Sequence, residues 1–213
     1  MTNTAQVPSG WQPMTAGDIA ALLAIADNCH PDHPEDEAVF RERLHLFPNG
    51  CSVLRNGHRI AGYMICHPYP LGMPVPLNGR LGSLPRDADA LYIHDLAIDP
   101  GMRGQGLATS AVARARNLAC ALKLNRMALV AINGSVPFWE RHGFASVDEA
   151  ALTRPLIGYG QAGTYMVSKP ANAWRERTIG QRCLFFVRTD ISGRNETCPR
   201  SMNSVRCTGR ANR

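Results

Sequence analysis

Apolar residues at Ile19, Leu22, Leu23 and Ile25–Ala26 recur at helical spacing and predict a first helix over 16–28, capped by Thr15. A second short helix is expected from Glu35 to Leu46, opened by Pro34 and ended by Phe47-Pro48-Asn49-Gly50. Residues 51–55 and 59–66 read as two strands, with Asn56-Gly57 as the hairpin turn between them. The stretch 67–90 has no clear period and carries five prolines and three glycines, the composition of a long functional loop. A strand over 91–98 follows, then a glycine- and arginine-containing loop. Next comes a helix whose stripe is Ala108, Ala111, Val112, Ala115, Leu118, Ala119 and Leu122. A buried strand over 127–132, a short helix over 136–142 ended by Gly143, and strands over 144–147 and 164–168 complete the order. That order predicts an α/β (α+β) chain with a mixed sheet flanked by helices.

The pattern fades beyond Pro170. Residues 170–213 hold nine arginines against three acidic residues, which is the whole formal net charge of +6; the preceding part balances. We therefore expect one domain over 1–169 and a basic, poorly ordered extension over 170–213. The reading prefers a solvated extension to a nucleic-acid-binding arm, because the few aromatics (Trp174, Phe185, Phe186) precede the most polar part. No apolar run reaches the roughly 18 residues that span a bilayer, so no membrane partner is expected. The first residues lack the basic start and apolar centre of a secretion signal, which predicts a cytoplasmic protein. Seven cysteines without a Cys-x-x-Cys pair predict free thiols rather than a disulfide framework. Cys29, His30 and His33 lack a second pair of ligands, so no metal is expected.

The chemistry concentrates in Leu91–Ala108. A strand that ends at Asp99-Pro100 feeds a loop, Gly101-Met102-Arg103-Gly104-Gln105-Gly106, that opens a helix. Main-chain N–H groups and the positive helix end converge there, an arrangement that holds a phosphate or diphosphate. Gly104 and Gly106 allow close backbone approach, Arg103 adds charge and Thr109 a hydroxyl. His94 lies upstream on the strand. Strict alternation places Tyr92, His94, Leu96 and Ile98 on one face, and Ile93, Asp95 and Ala97 on the other. An imidazole at that place can take a proton from an amine, directly or through water.

Arg103-x-x-Gly106-x-Ala108 resembles the acetyl-CoA signature of the GNAT N-acetyltransferase superfamily. His94–Pro100 resembles its fourth strand, and Asn133–Phe144 its downstream helix and the Gly-Phe opening the next strand. The series His94-x-Leu96-Ala97-Ile98-x-Pro100 is similar to that of serotonin (arylalkylamine) N-acetyltransferase, where a histidine at this place serves in proton removal. The resemblance covers roughly residues 7–168. It implies a mostly antiparallel twisted sheet of about six to seven strands flanked by about four helices, with a parallel pair splayed at the acetyl-CoA site.

It also implies a cofactor site made of Leu96, Ala97, Ile98, Arg103, Gly104, Gln105, Gly106, Leu107, Ala108, Thr109 and Asn133, with His94 as the catalytic residue. The implied reaction is transfer of an acetyl group from acetyl-CoA to a primary amine by direct attack, with a small-molecule amine favoured. A protein acceptor, and a non-catalytic acyl-CoA-binding or regulatory role, stand as alternatives. One departure is Trp139, where the family often has a tyrosine that protonates the departing thiolate. An indole N–H is no acid at neutral pH, so water, the ammonium product or Tyr92 would have to serve. Several members of the family pair as homodimers, and no residue here decides that.

Overall fold

The computed structural model describes residues 9–160 and 163–170. The basic extension expected over 170–213 lies, apart from Pro170, outside the described residues. Seven strands form one sheet among these residues, in the order β1-β2-β3-β4-β5-β7-β6. They are β1 Gly10–Pro13, β2 Cys51–Asn56, β3 Arg59–Tyr69, β4 Ala90–Ile98, β5 Arg126–Ala131, β6 Phe144–Ser146 and β7 Thr164–Ser168. Four α-helices flank it: α1 Ile19–Cys29, α2 Glu37–Leu46, α3 Leu107–Ala121 and α4 Val136–Arg141. All neighbouring strands are antiparallel except β4 and β5, which are parallel. The predicted mixed sheet is present, with the splayed pair in its middle.

The sheet separates two apolar layers. Ala111, Val112, Ala115 and Ala119 of α3 pack with Leu91, Ile93, Met127 and Leu129 on one face. On the other, Ile19, Leu22 and Ile25 of α1 and Phe40 of α2 pack on Val53, Tyr63 and Ile65. A 3-10 turn over Ala16–Asp18 leads into α1 and carries a capping box at Thr15: its N–H and Oγ1 both donate to Asp18 Oδ2, at 2.9 and 2.8 Å. No helix among the described residues is long and apolar enough to cross a membrane.

Four local expectations shift. Helix α2 begins at Glu37 with Asp36 as its N-cap, two residues later than the Glu35 start expected after Pro34. The hairpin turn is Gly57-His58, one residue later than Asn56-Gly57, with Gly57 at φ +60° in the first central position. Strand β1 was not expected, because Gly-Trp-Gln-Pro has neither alternation nor length. It is held by Trp11, whose indole donates to Ser110 Oγ at 2.9 Å. Strand β3 runs on through Pro68 to Tyr69, paired with Ala90–Tyr92. Pairing of β3 with β2 stops at Ile65, so Pro68 sits where β3 has only one partner strand and its missing N–H costs no ladder bond.

The remaining loop, 70–89, is tied down rather than open. Val75 is fully buried and its N–H donates to the Tyr92 hydroxyl. Leu77 N–H donates to the Ile157 carbonyl, and Asn78 to Glu35 and Asp36. The strongest anchor is the buried pair Glu42–Arg43 of α2. Arg43 Nη1 donates to Glu42 Oε2 at 2.5 Å and its Nη2 to the Gly79 carbonyl at 2.6 Å, while Glu42 accepts from Leu81 and Gly82 N–H.

Burial opposes ionisation of Glu42, but these N–H donors and the neighbouring Arg80 and Arg43 hold its carboxyl down at about 2. The folded value lies below the usual 4.5, so this contribution to stability is complete above 4.5 and is lost as pH falls toward 2. Urea melts at stepped pH are expected to show a flatter acid limb in Glu42→Gln than in the parent. An unaltered limb would assign the acid dependence to other carboxylates.

Candidate active site

Parallel pairing of β4 with β5 covers only Ala90–Tyr92 against Arg126–Ala128. Beyond it the two strands part, and β4 from Ile93 to Ile98 borders a cavity of about 830 Å³. Asp99 N–H donates to the Ala61 carbonyl across β3, so by the two-residue period the main-chain groups of Leu96 and Ile98 point the other way, into the gap. The Ile98 carbonyl is already taken by Arg103 Nε (3.2 Å) and Cys29 Sγ (3.5 Å). Leu96 therefore presents the free strand edge.

One end of the cavity is the loop into α3. Asp99 caps the turn there, its Oδ1 accepting from Gly101 N–H at 2.9 Å. Gly104 and Gly106 adopt φ +80° and +73°, and no other atom lies near where a Cβ would sit. Glycine is thus required by conformation, and the space above both residues is open. The N–H groups of the first turn of α3, a helix of 15 residues, have no partner within the helix and lie beside that space. Arg103 and Arg141 line the same region.

A diphosphate fits this donor set, and a pantetheine-like chain fits the free edge of Leu96. Of the cofactor residues expected from the sequence, Leu96, Ala97, Ile98, Arg103, Gly104, Gly106, Leu107, Ala108, Thr109 and Asn133 all line the cavity. Gln105 is exposed and does not. The Thr109 hydroxyl lies 3.3 Å from His142 Nε2.

The other end holds titratable groups. The register between β3 and β4 slips where Ile65 faces Asp95 and Cys66 faces Ile93, so His94 is an extra residue in a β-bulge. A bulge places successive side chains on one face. The expected strict alternation therefore breaks at this point, and the placement of Asp95 on the face away from His94 is corrected. His94 meets Glu35, and Asp95 meets Tyr63 and His30, all on the α1–α2 side, whereas Leu96 packs on the α3 side. The His94 side chain has no exposed surface; its Nε2 donates to Glu35 Oε2 at 2.9 Å, and its buried Nδ1 has no partner among the described residues.

Burial works against ionised Glu35, but the His94 charge and hydrogen bond, with the Asn78 N–H, keep its carboxyl below the usual range. Asp95 is likewise held low against burial, by His30 and the Tyr63 hydroxyl.

Several cavity groups were not singled out from the sequence as catalytic or binding residues: His30, Glu35, Cys29, His33 and Tyr159. Their partners are remote in the chain, His30 and Asp95 being 65 residues apart and Glu35 and His94 59 apart, so no local spacing marks them. Leu77 of loop 70–89 reaches the cavity, whereas Met73 and Pro74 of that loop and Tyr69 at the end of β3 do not. Tyr92 does not line it. Its hydroxyl accepts from Val75, and burial raises its phenol far above the ordinary value. Trp139 is buried between Phe138 and Phe144 and forms part of the wall. Among the described residues no three His, Cys, Asp or Glu side chains are grouped to hold a metal ion.

Comparison with known proteins places this geometry. The model of the Acetyltransferase (GNAT) family matches residues 19–144. The loading GNATL domain of CurA from Lyngbya majuscula is similar in fold, with TM-score 0.65 at 14% identity, over 78% of this chain and 100% of that one. The GphF GNAT-like decarboxylase in complex with isobutyryl-CoA has TM-score 0.60 at 15% identity, over 75% and 98%. Arabidopsis thaliana Naa50, in complex with the bisubstrate analogue CoA-Ac-MVNAL, has TM-score 0.55 at 13% identity, over 76% and 99%. A search of curated proteins found no match.

Proposed function

This chain belongs to the acetyltransferase (GNAT) family, and on that premise we propose that it transfers an acetyl group from acetyl-CoA to a primary amine, a small molecule rather than a protein. The observation that carries this reading is the parting of β4 and β5 beyond Tyr92–Ala128, with an anion cradle and two histidine–carboxylate pairs lining the same cavity. Acetyl-CoA, the donor, supplies the activated thioester. The residues do the rest.

First-turn amides of α3, with Arg103 and Arg141, hold the diphosphate. The Leu96 main chain aligns the pantetheine arm and offers an N–H to the thioester oxygen, where charge develops in acyl transfer. The cavity wall made by Leu77 of the pinned loop and by the contacting rings of Tyr159 and His33 supports a small acceptor. Glu35 and Asp95 favour a cationic amine there. His94 acts through Glu35, because its imidazole has no exposed surface and its Nε2–H is held by that carboxylate. The free thiols of Cys29, Cys51, Cys66 and Cys120 support a reducing, cytoplasmic setting.

Trp139 favours the second reading, a chain that binds acyl-CoA without turnover, because no acid stands at that position. A thiol-reactive dye with acetyl-CoA and a panel of primary amines separates the two. The transferase reading expects CoA thiol release with at least one amine and only background without amine. It expects His94→Ala to lower kcat about 10²-fold, within the range for lost proton-transfer assistance. No release above background with any amine of a broad panel, alongside tight acetyl-CoA binding by calorimetry, would leave the binding role.

A further inference from the structure

The reading above leaves unassigned the group that touches the amine. The His94 side chain has no exposed surface, whereas that of His30 is 17% exposed; both residues line the cavity. His30 caps the C-terminus of α1, with its N–H on the Ala26 carbonyl at 2.8 Å, where the helix dipole favours an imidazolium. Its Nε2–H donates to Asp95 Oδ1 at 3.1 Å, and the other oxygen of Asp95 accepts from the Tyr63 hydroxyl. The base is thus oriented by a carboxylate that is itself held by a phenol. The β4 bulge makes this possible by turning Asp95 toward α1.

The remaining nitrogen, Nδ1, accepts from Asn133 Nδ2 at 3.2 Å, and the same amide donates to the Cys29 carbonyl at 3.3 Å. Asn133 lies at the mouth of the gap with φ +53° and lines the cavity.

We propose that His30 is the catalytic base of this transferase, accepting the amine proton at Nδ1 once a ligand in the β4–β5 gap draws the Asn133 amide away. The inference rests on the transferase reading. Asn133 cannot serve a protonated Nδ1 by rotating its amide, because its oxygen would then face the Cys29 carbonyl. It has to leave.

In the step itself, the amine nitrogen pair forms the C–N bond to the thioester carbon, and an N–H proton passes to His30 Nδ1. The C–S bond breaks with its electron pair remaining on sulfur. The thiolate takes a proton from solvent and His30 returns one to it, so amine and thioester become amide and thiol. The charged groups facing His30 are Asp95 on β4, Arg103 before α3 and Glu35 before α2, with the Cys29 thiol beside it. Burial disfavours its protonation, but the Asp95 bond and charge outweigh that and Arg103, leaving the imidazole above its usual 6.5. Since the neutral form is the base, activity should rise with pH through a value above 6.5.

Two measurements on the full chain decide. In histidine-labelled protein, with the resonance assigned by His30→Gln, the His30 ring is expected to titrate above 6.5. Saturating CoA should move that titration upward in the parent and much less in Asn133→Ala, where the amide donor is already absent. With acetyl-CoA and 2-phenylethylamine or spermidine, His30→Gln should lower kcat by about 10²- to 10⁴-fold and erase the rising limb, with the KM for acetyl-CoA within about threefold. Asp95→Asn should keep a limb but move it to lower pH. A His30→Gln variant with parental kcat and limb overturns the proposal. CoA binding without any response of the His30 ring overturns it and leaves the transferase reading standing. Absence of CoA binding overturns both.

Discussion

Gly106→Val is expected to weaken CoA binding by roughly 100-fold or more while the rest of the sheet stays folded. Residue 106 holds φ +73° at the residue before α3, a conformation that costs an ordinary L-residue about 1–2 kcal/mol and a β-branched one more. Relief of that strain would turn the first-turn amides away from the cavity. Each amide bond to a charged phosphate oxygen contributes about 1.5–3 kcal/mol, so losing two gives about 3 kcal/mol or more, which is the 100-fold figure. A Cβ at residue 106 meets nothing within 4 Å, so overpacking is not the cause of any loss. Calorimetry with CoA, beside a circular-dichroism melt, checks both halves. Parental affinity in the folded variant would move the diphosphate away from this turn.

Arg43→Ala should be the most destabilising of the substitutions considered, by about 3–5 kcal/mol, the scale for removing one member of a buried ion pair. Arg43 is 1% exposed, and its loss leaves Glu42 with only Arg80 and the Leu81 and Gly82 N–H groups and frees the Gly79 carbonyl, so loop 70–89 loses one of its ties to α2. For a domain of this size the loss corresponds to a Tm lower by roughly 6–20 °C. The double change Glu42→Gln with Arg43→Ala should cost clearly less than the sum of the two single changes, because the bond between the two side chains is lost only once. Additive losses would mean that the two side chains act independently.

What could be read in advance was local. The buried stripe of α3 (Ala111, Val112, Ala115, Ala119), the glycines that take positive φ before it and the Thr15 cap each depend on a few neighbouring residues; they appeared in place, except that Leu122 is exposed beyond the helix end and Thr15 caps the 3-10 turn that leads into α1. The resemblance carried the parting of β4 and β5. What could not be read was the result of non-local pairing. The bulge at His94 follows from the register of β3 against β4, and it alone turns Asp95 toward His30. His30 and Glu35 lie in a turn whose composition looks like ordinary polar surface, and their partners arrive on another strand. Loop 70–89 looked free because prolines break its period, yet its N–H groups find Glu42, Tyr92 and Ile157. Pro68 hid the end of β3 because a proline in a strand is tolerated only where one side lacks a partner.

The central claim is tested most directly by a crystal structure of this chain grown with CoA. The account predicts the diphosphate within hydrogen-bonding distance of the amides of residues 104–109 and the pantetheine arm beside Leu96, between β4 and β5. CoA bound elsewhere, or a diphosphate that leaves those amides untouched, would contradict it.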